Sequence, residues 1–172
     1  MARNSNKNRV FRFNRRIRGL TDYSLRLKLL KSNMTRAVIR RSNKNMLIQF
    51  VDYAENGDKI IVSAKSADLK KLGFKTNTGN ISAAYLTGLL AGKRLAAKKF
   101  KGECIIDLGL QNASFYGSRL YAAVKGIKDS GINVRVSDVV FPSEERINGS
   151  HLTSKDAQKV IEKTKKAIEA MK

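Results

Sequence analysis

The chain has 172 residues, enough for one domain with an ordinary core. Hydrophobic residues make up 42% of it, which excludes a chain disordered throughout. It carries 35 Lys and Arg against 14 Asp and Glu, a formal net charge of +21, and that much self-repulsion calls for a polyanionic partner, either a nucleic acid or an anionic membrane surface.

Residues 1–20 place Arg3, Lys7, Arg9, Arg12, Arg15, Arg16 and Arg18 among Asn residues with few apolar groups. Such a segment is expected to be disordered alone and to order on a partner. Thr21 or Asp22 is an N-cap for a short basic helix with Leu25, Leu29 and Leu30 on one face. Residues 37–42 and 46–53 read as strands joined by the polar turn Asn43-Lys44-Asn45, and the Asn56-Gly57 pair turns the chain into a third strand, 59–64. Residues 66–72 suggest one helical turn. After a Gly- and Asn-rich loop, 76–80, the apolar period becomes helical. Ile81, Ala84, Tyr85, Gly88, Leu89, Gly92 and Leu95 recur at three and four, behind Asn80 as a cap. A fourth strand is expected over 103–110, a helix over 118–129 and a short strand near 133–136. Residues 153–172 suggest an amphipathic helix with Thr153 and Asp156 as a capping box and Ala157, Val160, Ile161, Thr164, Ile168 and Met171 as its stripe. The order β-β-β-α-β-α, possible β, then α favours an α/β layered domain with a mixed sheet. The expected division is a basic arm and short helix, 1–31, a domain, 32–152, and a C-terminal helix, 153–172.

The charge is unevenly placed. Residues 1–44 hold 14 basic side chains and one acid, Asp22, whereas residues 102–172 net only +2. The binding face is therefore expected in the N-terminal part. Cys104 sits in an apolar run and reads as a small buried hydrophobe. With no disulfide framework, a reducing compartment fits. The N-terminal residues show no secretory signal, and the longest apolar stretch, 81–92, is too short and polar to span a bilayer.

Several chemistries fail on inspection. Gly88 to Lys93 has three residues between its glycines, no Ser or Thr after the lysine, and a helical setting, so it is not a phosphate-binding loop. Its small residues are expected to let the helix pack closely on the sheet. His151 is the one histidine, and a single His with a single Cys builds neither a triad nor a metal site of the zinc type. Three antiparallel strands followed by a helix and a strand suggest a ribonuclease-H-type layout, in which Asp107 would be a candidate metal ligand. Two-metal cleavage needs several converging carboxylates, and the first strand pair offers only Asp52 at its end. Asp107 therefore reads as a structural acceptor near a strand end. No G-x-x-G loop and no aromatic RNP motif is present. No catalytic residue, cofactor, metal, small-molecule substrate or membrane partner is expected.

Arginine-rich arms suit RNA because guanidinium groups fork onto phosphates and stack on bases. Phe11, Phe13 and Tyr23 are placed either to stack on unpaired bases or, for the two phenylalanines, to fold back on the core. An amphipathic membrane helix is disfavoured, since residues 1–20 lack a continuous apolar face.

The ordered set of segments then adds a resemblance. It comprises Arg18 to Tyr23, Arg26 to Ser32, Arg40 to Lys44, Asn56 to Asp58, Ser63-Ala64, Thr78 to Gly92, Asp107 to Leu110, Gly117 to Arg119 and Glu144 to Ile147. Over about residues 9–152 the chain resembles archaeal members of the ribosomal protein L-eighteen family, whose eukaryotic counterpart is called L-five. The resemblance implies a ribonuclease-H-like fold without nuclease activity, and a structural role in the large ribosomal subunit. It implies binding to 5S rRNA, docking of that RNA on the large-subunit (23S-type) rRNA in the central protuberance, neighbouring ribosomal proteins, and a cytoplasmic, ribosome-bound location. It also implies RNA contacts at Arg9, Arg12, Arg15, Arg16, Arg18, Thr21, Tyr23, Arg26, Arg40, Ser42, Asn43, Lys44, Thr78, Asn80, Ser118 and Arg119. Three departures stand out. Residues 112–116 replace a loop usually rich in Pro and Thr, with Phe115 and Tyr116 placed either to stack on a base or to pack under the loop. The C-terminal helix is variable in the family, so its stripe packs either on this domain or on a neighbouring protein. Phe13-Asn14 interrupts a commonly unbroken Arg run.

Overall fold

The structure is a computed structural model and describes residues 12–151 and 155–171. Arg9, Phe11 and Thr153 lie outside the described residues. The first elements are one helical turn, Asn14–Ile17 (α1), and the basic helix Tyr23–Lys31 (α2). Asp22 caps α2, accepting from the backbone N–H groups of Ser24 and Leu25 at 2.9 and 3.0 Å. Thr21 is engaged elsewhere, accepting from Arg15 Nε at 3.0 Å. The sequence suggests no element before residue 20. The helical turn found there is tied to α2 by that bond and by Phe13 and Tyr23, whose ring centroids lie 5.6 Å apart. Phe13 is otherwise exposed and does not fold back on the core.

Thr35–Arg41 (β1), Met46–Asp52 (β2) and Lys59–Lys65 (β3) form an antiparallel meander. Gly57, at φ +128°, supplies the left-handed turn expected before β3. Ser66–Leu72 is the expected short turn, of 3-10 type. Ile81–Ala97 (α3) then returns the chain to Glu103–Asp107 (β4), which pairs parallel with β1. Arg119–Asp129 (α4) leads to the two-residue Asn133–Val134 (β5), parallel to β4. The mixed sheet has the order β3-β2-β1-β4-β5. β4 stops three residues earlier than the sequence suggests. Gly109, at φ +63°, donates its N–H to Asp107 Oδ1 at 2.8 Å and turns the chain out of the sheet.

The core lies between one sheet face and the helices. Ala37, Ile39, Ile48, Phe50, Val62, Ala64 and Cys104 meet α3 and α4 there, all under a tenth exposed. Burial first, then the charges of Asp52 and Glu103, push the Cys104 thiol up to about 12, so it stays protonated near neutrality. The expectation that the small residues of α3 serve packing on the sheet needs correcting. A Cβ at Gly88 would strike the backbone of Ala123, and one at Gly126 the backbone of Tyr85, so the close approach is to α4. Gly88→Ala is therefore expected to force the two helices apart and to lower stability by about 1–3 kcal/mol or more, read as a fall in urea midpoint.

Two short elements are not evident in the sequence: a 3-10 turn, Asp138–Val140, and Glu144–Asn148 (α5). Lys155–Glu169 (α6) closes the fold. Ile161, Thr164 and Ile168 are buried in the common core, so the stripe of α6 packs on this domain. No helix of the described residues is long and apolar enough to cross a membrane.

Candidate nucleic-acid interface

Three segments far apart in sequence meet at one end of the sheet. The first is the β1–β2 turn. Ser42 N–H donates to the carbonyl of Asn45 at 2.8 Å, and Asn45 N–H donates to Ser42 Oγ at 3.0 Å, which closes the turn with Asn43 and Lys44 exposed at its tip. The second is the loop before α3. Thr78 Oγ1 donates to the carbonyl of Lys44 at 2.7 Å, and Gly79 approaches so closely that a Cβ there would lie 2.7 Å from the carbonyl oxygen of Asn43. Asn80 caps α3, accepting from Ala83 N–H at 2.7 Å. The third is the start of α4. Arg119 Nη1 donates to the carbonyls of Gly79, at 2.6 Å, and Asn43, at 3.3 Å. One guanidinium thus pins both loops, which are rigid before any partner arrives.

The second part of the site is the sheet face away from α3 and α4. Val38 pairs with Asp107 in parallel register, so Asp107 shares the face on which Arg36 and Arg40 stand two residues either side of Val38. Arg40 Nη2 donates to Asp107 Oδ1 at 3.0 Å and its Nη1 to the Asp107 carbonyl at 2.7 Å. Arg36 is only 2% exposed. Its Nη1 lies 3.4 Å from Asp107 Oδ2, and its Nη2 lies 2.7 Å from Asp58 Oδ2 as an ion pair outside hydrogen-bond geometry. Arg26 of α2 reaches the same Asp58 oxygen at 3.0 Å. Gln111 completes the region, accepting from Arg41 N–H and donating to the carbonyl of Ile39. Asp107 is thus a structural acceptor held by two guanidinium groups, as its position in the sequence suggests.

Burial acts to raise the Asp58 pKa, but the hydrogen bonds and charges of Arg36 and Arg26 outweigh it and hold the carboxyl below its ordinary 3.8. A carboxyl depressed on folding contributes stability above its unfolded pKa, and loses it as pH falls through the folded value. Asp58→Asn is therefore expected to lower stability at neutral pH and to flatten its decline below about pH 4, read by urea unfolding across that range.

The predicted contact residues fall into two groups. Arg12, Arg15, Arg16 and Arg18 are exposed on and around α1, and Ser42, Asn43 and Lys44 are exposed on the turn. Tyr23 and Arg26 are half-buried on α2. Thr21, Thr78 and Asn80, in contrast, spend their side chains on internal bonds, and Ser118 Oγ is enclosed with no partner among the described residues. These four shape the loops instead of presenting free groups. Phe115 is 68% exposed, and Tyr116 is 67% exposed with its ring edge-on to Tyr121 at 6.4 Å. His151 is exposed, with a ring nitrogen 3.3 Å from the carbonyl of Glu145. Arg36, Asn45 and Gln111 belong to the region although sequence reasoning passes over them. For Arg36 a signal was present, since Arg36, Val38 and Arg40 are spaced at two.

A charged, loop-built surface of this kind has known counterparts. The family of ribosomal large subunit proteins 60S L5 and 50S L18 matches residues 7–102. The chain belongs to this family. It is 49% identical over 140 residues to the large ribosomal subunit protein uL18 of Methanococcoides burtonii, covering 81% of this chain and 80% of that one. It is 46% identical over 143 residues to the protein of that name from Korarchaeum cryptofilum, covering 83% and 72%. The uL18 of Methanothrix thermoacetophila is 44% identical over 137 residues, with 80% of each chain covered. The turn at 42–45, the loop at 76–80 and the whole basic face fall inside the matched family region.

Proposed function

We propose that this protein is a non-catalytic constituent of the large ribosomal subunit that binds 5S rRNA and helps dock it on the large-subunit rRNA in the central protuberance. Its place is then cytoplasmic and ribosome-bound, beside neighbouring ribosomal proteins. The observation that carries the reading is the Arg119 clasp, which fixes two exposed amide- and hydroxyl-rich loops next to a face of arginines, in a chain of this family. Rigid loops of that chemistry suit phosphates and ribose hydroxyls of a folded RNA, while the arginine arm supplies charge.

In this reading residues 1–31 are an RNA-binding arm with its short helix, 32–152 the RNA-binding domain and 153–172 the terminal helix. Three antiparallel strands leading through a helix to two parallel ones support a ribonuclease-H-like layout. The pairing of Asp107 with Arg36 and Arg40 supports its use as structure rather than catalysis. The test is a gel-shift titration of 5S rRNA against tRNA at matched salt. Tighter binding of 5S rRNA is expected, and equal affinity for the two would overturn the specific claim.

A further inference from the structure

Residues 59–101 carry ten Lys and Arg and a single acid, Asp68. The arm's cations are nearly all arginine, but nine of these ten are lysine. The fold gathers them along one border. β3 is an edge strand, and the last turns of α3 lie against it. Arg94 Nη1 donates to the carbonyl of Ser63 at 2.7 Å, and Lys98 Nζ donates to that of Ile61 at 2.6 Å. Arg94 also takes the one acid, reaching Asp68 Oδ2 at 2.9 Å.

Those bonds account for Arg94 and Lys98. They cover free edge carbonyls, which protects an edge strand from unwanted pairing. They do not account for the others. Lys70, Lys71, Lys99 and Lys101 are exposed, lie off the strand, and make no ion pair among the described residues. The C-terminal third of the chain behaves differently, because there Lys125, Lys128 and Arg135 each have a carboxylate partner. The border also has a direction. It starts beside the β1–β2 turn, where Ser66 Oγ lies 3.4 Å from Asn45 Oδ1, and runs down the seven residues of β3 to the end of α3, roughly 20 Å at strand rise.

We propose that this border is a lysine track that holds the phosphate backbone of a double-helical RNA segment, extending the turn interface along β3 to Lys101. Lysine suits that task. Its ammonium is a point charge on a flexible stem that neutralises phosphate without reading bases, and phosphate contacts position an RNA without specifying it. The inference rests on the RNA-binding reading above, and its experiment separates the two.

The full chain is compared with Lys70→Gln, Lys71→Gln and Lys101→Gln combined. A control removes the same charge from exposed positions of α6, as Lys159→Gln, Lys163→Gln and Lys166→Gln combined. Each protein is titrated with 5S rRNA, with tRNA and with a 20-base-pair RNA duplex over a salt series. The track variant is expected to lose about tenfold or more in affinity for 5S rRNA and the duplex near physiological salt. Its salt slope should fall by about one unit per lost contact, with the ratio of 5S rRNA to tRNA affinity unchanged. The control should match the parent chain. Equal losses in the two variants would reduce the effect to net charge, and no loss in the track variant would leave a solvated edge; either result overturns the track. So would a collapse of the 5S-to-tRNA ratio at unchanged slope, which would make these lysines readers of shape. A parent chain without 5S preference would overturn the proposed function alone, because loss of duplex affinity still reports on the track.

Discussion

Asp107→Ala is expected to cost the folded chain about 3–5 kcal/mol, a large share of the roughly 5–15 kcal/mol that holds a domain together. The reason is burial, not the number of bonds. Arg36 cannot reach water at 2% exposure, and its charge is balanced by Asp107 and by an Asp58 carboxylate that it shares with Arg26. Removing Asp107 leaves a desolvated guanidinium with half a partner. It also frees Arg40 and unties the Gly109 N–H that ends β4. The Arg135–Glu103 pair is the natural comparison. Its two bonds are shorter, at 2.7 and 2.6 Å, yet Arg135 is 75% exposed, and solvent screens what it contributes. Glu103→Ala should therefore cost far less. Urea unfolding of Asp107→Ala, Arg36→Leu and the double variant checks the account. The double variant should lose less than the sum of the single losses, because taking both groups away leaves no uncompensated charge. Equal losses for Asp107→Ala and Glu103→Ala would show that burial does not set the magnitude.

The same network shows what a sequence can and cannot reveal. Period-two alternation located β1 to β3, and the switch to a period of three and four located α3, because both patterns are local consequences of one buried face. The end of β4 was not legible. Asp107-Leu108-Gly109-Leu110 continues an apolar run, and only a side-chain bond from Asp107 to Gly109 N–H turns the chain away. The role of the α3 glycines was half legible. Their spacing announces a close approach, but the partner, α4, is a fact of tertiary packing. The candidate site divides in the same way. Exposed arginines and the amide-rich turn are compositional signals, visible without a structure. The clasp by Arg119 is not, since its partners at Gly79 and Asn43 are 40 and 76 residues away. Thr78 and Asn80 were rightly placed at the loop, yet they brace it from inside.

Removing residues 1–18 is expected to have the largest effect on RNA affinity, and to change strength far more than selectivity. Seven of those 18 residues are Arg or Lys, with no acid among them. If each engages a phosphate, the slope of log affinity on log salt should flatten by about five to six units. The full chain should lose roughly 10³–10⁵ in affinity between about 50 and 200 mM salt, and the truncated chain much less. The fold should survive, since Asp22 still caps α2 and Arg26 still reaches Asp58; the lost local contacts are those of Phe13 with Tyr23 and of Arg15 with Thr21. Selectivity should survive too. The Ser42–Asn45 turn and the loop before α3 are held by Thr78 and Arg119, none of which touches the arm. Affinities of both chains for 5S rRNA and tRNA, measured over the same salt series, separate the two roles. A truncated chain that keeps its affinity but loses its preference would show that the arm reads the RNA and the loops merely hold it.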